Sequence, residues 1–286
     1  MKTKRGFGVA VGAAIGAFIA TLALAEPAQR IVTLAPHLTE LVFTVGAGDR
    51  LVGVDAYSDY PPAATRIARV GDAFQVDYER LLALRPDLVL VWTTGMPEAV
   101  MSRIAQLGMR VERVSISRLA DISAALLQIG ELTGTGPQAR RAARAFDEEV
   151  AALRSRNAGL APVTVFYQIS ETPLYTVSGR HVISELIELC GGRNVFADLE
   201  QVAPPVGLEA VIERNPQLIV TADGAQGNPL SLWHRWPDLA AVRLGNLHTV
   251  DADKVARSTT RIVQGAAQIC AAIDSARSKA RANRSP

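Results

Sequence analysis

The chain has 286 residues, 49% hydrophobic and 5% aromatic, with 30 Lys and Arg against 28 Asp and Glu for a formal net charge of +2. That length can bury a large core or two smaller ones, and so balanced a charge excludes a nucleic-acid binder, which would show a strongly basic face. The four histidines, His37, His181, His234 and His248, are scattered, and there is no Gly-x-Ser-x-Gly elbow, Walker loop or His-Glu-x-x-His motif to mark an enzyme.

The N-terminus reads as an export signal over residues 1–25. Met1-Lys2-Thr3-Lys4-Arg5 is basic, Phe7 to Leu24 is apolar, and Ala23-Leu24-Ala25 meets the small-x-small cleavage rule before Glu26. The chain is therefore expected to be exported, with an uncleaved anchor as the alternative because the apolar run approaches membrane-spanning length. No Cys follows that run to carry a lipid. Loss of Lys2, Lys4 and Arg5 takes the basic residues from 30 to 27 against 28 acidic ones, a mature net charge of −1.

Strand and helix then alternate. Ile31 to Leu34 predicts a strand, followed by a helix through Phe43, a strand at Leu51 to Val54, and a helix from Glu79 that stops before Pro86 and gives way to the buried strand Leu88-Val89-Leu90-Val91. Pro97 to Leu107 predicts a helix, Val111 to Val114 a strand, and Leu119 to Thr133 a helix. Residues 138–156 are dense in helix formers, with Gly136-Pro137 ahead and Asn157-Ala158-Gly159 behind. From Val163 the theme begins again. The expectation is an α/β protein of two similar lobes, 26–136 and 161–286, whose mainly parallel sheets are covered by helices and joined by one long helix over 137–160. A helical connector resists large hinge motion, and the default ligand site is the cleft between the lobes, beyond the carboxyl ends of the strands.

Two internal echoes support the pair of lobes. Glu79-Arg80-Leu81-Leu82-Ala83-Leu84-Arg85-Pro86-Asp87-Leu88-Val89-Leu90 superposes without a gap on Glu209-Ala210-Val211-Ile212-Glu213-Arg214-Asn215-Pro216-Gln217-Leu218-Ile219-Val220. Glu40 to Gly46 lines up in the same order with Glu185 to Gly191. One helix–Pro–strand unit would say little, whereas two echoes in register point to duplication.

Aromatic residues stand at strand ends: Tyr57 and Tyr60 after Val54, Trp92 after Val91, Tyr175 beyond Phe166-Tyr167-Gln168, and Phe74 in the Gly71-Asp72-Ala73 turn. In so aromatic-poor a chain, that placement suits a broad apolar ligand. His37 and Glu40 share a helix face, but two ligands do not close a metal site, and no metal is expected. The two cysteines, Cys190 and Cys270, fall in the exported part. An oxidising compartment would let them pair, contributing roughly 4–5 kcal/mol in the chain-entropy model; two separate buried thiols are the alternative.

The run Arg30 to Pro36 through Thr39-Glu40, then Tyr57-Ser58-Asp59-Tyr60-Pro61-Pro62, Leu84 to Val89, Cys190 to Phe196 and Arg257 to Ile262 resembles the helical-backbone solute-binding proteins, and among them the periplasmic vitamin B12-binding group. That resemblance covers nearly the whole mature chain. It implies capture of cobalamin or a related corrinoid, without catalysis or cofactor, for an ABC importer. It places Tyr57, Phe74, Trp92 and Tyr175 around the corrin and Arg257 as a polar contact, and it implies the Cys190–Cys270 disulfide. Glu79 and Glu209 would dock, one per lobe, onto arginines of the importer's membrane-subunit dimer, with the binding protein itself a monomer. Two departures stand where the family carries tryptophans facing the corrin: Phe74 in the first lobe and, in the second, Ala203, which thins that wall unless Trp233 or Trp236 reaches in from nearby. The alternatives are a ferric-siderophore or haem binder of the same fold, with iron held by Tyr57, Tyr60 or a His, and an exported hydrolase using His37 and Glu40.

Overall fold

The apolar runs and helix-forming stretches fold into two sheets flanked by helices, in a computed structural model that describes residues 26–223 and 229–283. The export leader read over residues 1–25 lies outside them. In chain order the first half contains β1 (Ile31–Thr33), α1 (Pro36–Thr44), β2 (Leu51–Gly53), α2 (Tyr78–Leu84), β3 (Leu88–Trp92), α3 (Glu98–Gln106), β4 (Val111–Val114) and α4 (Leu119–Leu132). The long helix α5 (Gly136–Asn157) follows, one to two residues longer at each end than the helix-forming stretch. The second half contains β5 (Val163–Glu171), β6 (Leu174–Thr176), α6 (Val182–Leu189), β7 (Gly192–Asn194), α7 (Leu208–Arg214), β8 (Leu218–Ala222), α8 (Ala240–Arg243), β9 (Leu247–Val250), α9 (Ala252–Val255) and α10 (Ile262–Ala282).

The duplication is structural as well as sequential. The first sheet is parallel with order β2-β1-β3-β4; the second repeats it with β5, β8 and β9, while β7 takes the place of β2 beside the start of β5. Leu88 and Leu218, matched in the sequence echo, sit opposite Ile31 and Val165. Val89 and Ile219 face Val111 and Leu247 on the outer strands. The addition in the second lobe is β6, which folds back antiparallel on the far end of β5.

The repeated helices also end alike. Each begins one residue ahead of its glutamate: Asp77 caps α2 by accepting from the Arg80 amide at 2.9 Å, and Gly207 precedes α7. The residue before each proline leaves the helix not for extended backbone but for the left-handed region, Arg85 at φ 46° and Asn215 at φ 43°. These are the two non-glycine residues with positive φ among the described residues. A left-handed residue turns the chain out of the helix in one step, so that the next strand begins two residues beyond the proline, at a cost of about 1–2 kcal/mol for a residue with a Cβ.

Alternate residues of the central strands serve different cores. Leu88 and Leu90 of β3, and Leu218 and Val220 of β8, belong to one apolar cluster that also takes in Leu126 of α4, Phe146 and Val150 of α5, Ile187 of α6 and Ile273 of α10. The opposite faces build separate outer cores: Val89 and Val91 pack with Leu81 and Ile104, and Ile219 packs with Phe166, Val211 and Trp233. The helices between the sheets thus share one continuous core across both lobes. Cys190 and Cys270 are joined, with Cα atoms 4.7 Å apart, and tie α6 to α10 inside it.

Candidate ligand cleft

Parallel strands deliver their following loops to one edge, and side chains from both lobes meet there. The loop after β2 is folded onto the first lobe by Ser58, whose hydroxyl bonds Thr39 at 2.8 Å, itself bonded to Thr33 at 2.7 Å. Arg69 donates from Nη1 to the carbonyls of Asp55 (3.0 Å) and Ser58 (2.5 Å). The Ala56 amide donates to the Gly71 carbonyl at 2.7 Å, which brings the neighbouring turn alongside. In that turn Asp72 Oδ1 accepts from the amides of Phe74 and Gln75, both at 2.8 Å, and Gly71 has φ 92° with no room for a Cβ beside the Gln75 carbonyl. Tyr57 and Phe74 therefore stand on adjoining loops, 66% and 72% exposed.

Trp92, the last residue of β3, is held more firmly. Its ring lies directly over Gly95, where an added Cβ would come within 2.0 Å of it, and the edge of His37 meets it with ring centroids 5.1 Å apart. It is only partly exposed and also packs on the shared core. Tyr175 lies on β6 rather than in a loop, paired with Ser170 and bridged to Pro205 at the carboxyl end of β5.

The lobes are bound at this edge by a group of charges. Glu40, 3% exposed on α1, receives Arg261 through Nε (2.8 Å) and Nη2 (2.6 Å) and Arg257 through Nη1 (3.1 Å). Arg257 also donates to both oxygens of Asp59, at 3.1 Å from Nη2, and pairs with Asp253 at 3.1 Å. The Arg261 guanidinium lies 3.8 Å above the Tyr60 ring centre. The hydrogen bond from Arg257 holds the Asp59 carboxyl below its usual range. Burial, aided by Arg257, lowers His37 to about 4, so the imidazole is neutral at ordinary pH, and its buried Nε2 has no hydrogen-bond partner among the described residues. Burial raises the Asp55 carboxyl nearby.

The residues read from sequence thus divide. Tyr57 and Phe74 stand on neighbouring loops of the first lobe, Trp92 ends β3 against His37, Arg257 reaches the loop of Tyr57 through Asp59, and Tyr175 lies on β6 of the second sheet. Glu79 and Glu209 are exposed at matching first turns. His37 and Glu40 diverge, one onto Trp92 and the other onto two arginines, so they form no acid–base pair. Trp233 and Trp236 do not supply the missing aromatic wall. Trp233 is fully buried with its Nε1 donating to Gln168 at 2.7 Å, and Trp236 lines a groove with Ile212 and Asn215 at the end of α7 remote from Glu209. Arg261 and Asp59 escaped the sequence reading. Their signal was indirect: Glu40 heads one of the two echoes, and a carboxylate on the core-facing side of a helix needs a partner.

The sequence matches a family model described as periplasmic binding protein over residues 31–253, and the chain belongs to that family. It is similar to the vitamin B12-binding protein of Vibrio cholerae serotype O1, 36% identical over 250 residues covering 87% of this chain and 90% of the relative. It is equally similar to that of Pectobacterium carotovorum subsp. carotovorum, 36% identical over 258 residues covering 89% and 91%. Among solved structures, the periplasmic vitamin B12 binding protein BtuF of Vibrio cholerae superposes with a TM-score of 0.80 at 34% identity, covering 87% of this chain and 98% of that one. The periplasmic heme binding protein HutB of Vibrio cholerae, 22% identical with a TM-score of 0.74 and coverage of 85% and 98%, shares the fold.

Proposed function

We propose that this chain is a periplasmic binding protein that captures cobalamin or a related corrinoid between its lobes and delivers it to an ABC importer. The observation that carries this reading is the 36% identity with vitamin B12-binding proteins through nearly the whole mature chain, joined to an open aromatic face at the carboxyl edge. A corrin is broad, flat and largely apolar, and suits rings standing at loop tips. Tyr57, Phe74 and Trp92 form one wall, Tyr175 the other, and Arg257 adds a polar contact from its Nε–H, which no described residue engages. The second wall is thinner for having Ala203 and no tryptophan.

Capture requires no catalytic step, and Glu40, gripped by two arginines, is a poor general base for one. The chain is exported, with cleavage after Ala25, and acts as a monomer with lobes 26–136 and 161–286 about the connecting helix over 137–160. The shared core limits the lobes to small relative movements. Glu79 and Glu209, exposed on equivalent helices, dock onto arginines of the importer's two membrane subunits.

Calorimetric titration of the mature protein with cyanocobalamin, cobinamide, haemin and a panel of ferric siderophores tests the reading. Tightest binding to a corrinoid is expected. Preference for haemin, with an absorption band of tyrosine- or histidine-ligated iron, would transfer the site to haem.

A further inference from the structure

The loop that carries Tyr57 and Tyr60 hangs partly from the opposite lobe. Its first half is tied within the first lobe, through Ser58 to Thr39 and through Arg69 to two carbonyls. Its second half is held by the segment between α9 and α10, since Arg257 takes the carboxylate of Asp59 and Arg261 covers one face of Tyr60. Both arginines are fixed by the same buried carboxylate, Glu40, which takes Arg261 by two bonds. A Tyr60 ring backed on one face by a planar cation remains 43% exposed.

We infer that Arg261 is a positioning residue of the cargo cleft: locked onto Glu40, it holds the Tyr60 ring as a fixed platform on which a flat cargo stacks. The inference deepens the corrinoid reading and rests on it. A free tyrosine at a loop tip would lose rotamer freedom on binding, whereas a ring already ordered loses none, and ordering of one such side chain corresponds to about a tenfold change in affinity. The guanidinium suits the task because it can grip a carboxylate along one edge while its flat face stacks on an aromatic ring. A lysine could keep the charge beside Glu40 but not the stack.

Arg261→Lys and Tyr60→Ala, singly and combined, separate this role from simple support of the fold, and the lysine variant keeps a counter-charge on Glu40 where a methionine could fail to fold. With cyanocobalamin as the probe, Arg261→Lys is expected to weaken binding about tenfold, and to cause no further loss once Tyr60 is already alanine. Wild-type affinity in Arg261→Lys, or the same tenfold loss in the Tyr60→Ala background, overturns the inference. Should the wild-type protein itself ignore cyanocobalamin, the corrinoid reading fails, and hydrogen exchange in the cargo-free protein decides the positioning role. Faster exchange at the amides of residues 57–60 in Arg261→Lys upholds it, and unchanged exchange refutes it.

Discussion

Glu40 and Glu185 occupy equivalent positions on α1 and α6, and each sends its carboxylate across to the opposite lobe. Glu40 reaches Arg257 and Arg261 ahead of α10; Glu185 accepts from the Leu119 amide at 2.7 Å and from Arg118 at 3.2 Å, at the start of α4. Since α4 and α10 each follow the outer strand of their own sheet, the two crossings are related by the pseudo-two-fold of the duplication. They differ in environment, the Glu40 side chain being 3% exposed and that of Glu185 20%.

That difference predicts unequal consequences. Glu40→Ala leaves two largely buried arginines short of their shared counter-charge and is expected to cost about 3–5 kcal/mol, while Glu185→Ala loses a more hydrated contact worth about 1–2 kcal/mol. Chemical denaturation of both variants checks the order, and equal losses would mean that the crossings are energetically alike.

Trp92→Ala is expected to damage both stability and capture. The ring packs on Gly95, His37 and the shared core, so its removal opens a cavity costing about 2–4 kcal/mol, and it also strips an aromatic from the cleft. Trp92→Phe keeps most of the packing. Melting curves alongside cyanocobalamin titrations should show Phe restoring stability more fully than affinity; full recovery of both would place the indole outside the cargo contact.

The disulfide closes a loop of 80 residues between α6 and α10. Its loss by Cys190→Ala/Cys270→Ala is expected to lower stability by about 4 kcal/mol, because the unfolded chain regains the freedom that the crosslink removes. Ligand capture should survive at moderate temperature, since the cleft residues lie elsewhere. Thermal unfolding under oxidising and reducing conditions reads this directly, and a melting point indifferent to reductant would contradict it.

His37 predicts an acid limb in the stability profile. A histidine whose folded pKa is lowered from 6.5 to about 4 is bound by more protons when the chain unfolds, so stability declines as pH falls through that window and the loss is complete below it. A shift of that size corresponds to at most about 3 kcal/mol. His181 and His248 are lowered by burial too and add slope of the same sign, whereas Asp55, raised by burial, opposes it at lower pH. Denaturant midpoints between pH 7 and 4 should fall less steeply in His37→Leu than in the parent.

Docking through Glu79 and Glu209 predicts a split between capture and delivery. Both carboxylates are exposed, so the paired alanine variant should lose only a few tenths of a kcal/mol of stability from the helix dipoles and bind cargo normally. Uptake at limiting protein and complex formation with the importer should nevertheless fail, because truncated charges at an interface cost several kcal/mol. Full uptake by the double variant would return both glutamates to the role of dipole partners.

Local sequence determined the elements, the duplication and the buried strands, because hydrophobic period, proline placement and helix-forming runs act within a few residues of themselves. Thus Leu88 to Val91 and the helix over 138–156 were legible directly, as was the echo that places Leu88 and Leu218 at the same point of two sheets. The cysteine pairing was legible through composition and resemblance. Only the tertiary structure decided which residues meet across the lobes. Arg261 lies 221 positions from Glu40, and nothing local distinguishes its charge from that of the solvated arginines on α5. Likewise Trp92 ends a strand and Trp233 follows one, yet Trp233 is sealed beside Phe166 and Trp92 is partly open, because burial is set by what the rest of the chain brings against a side chain.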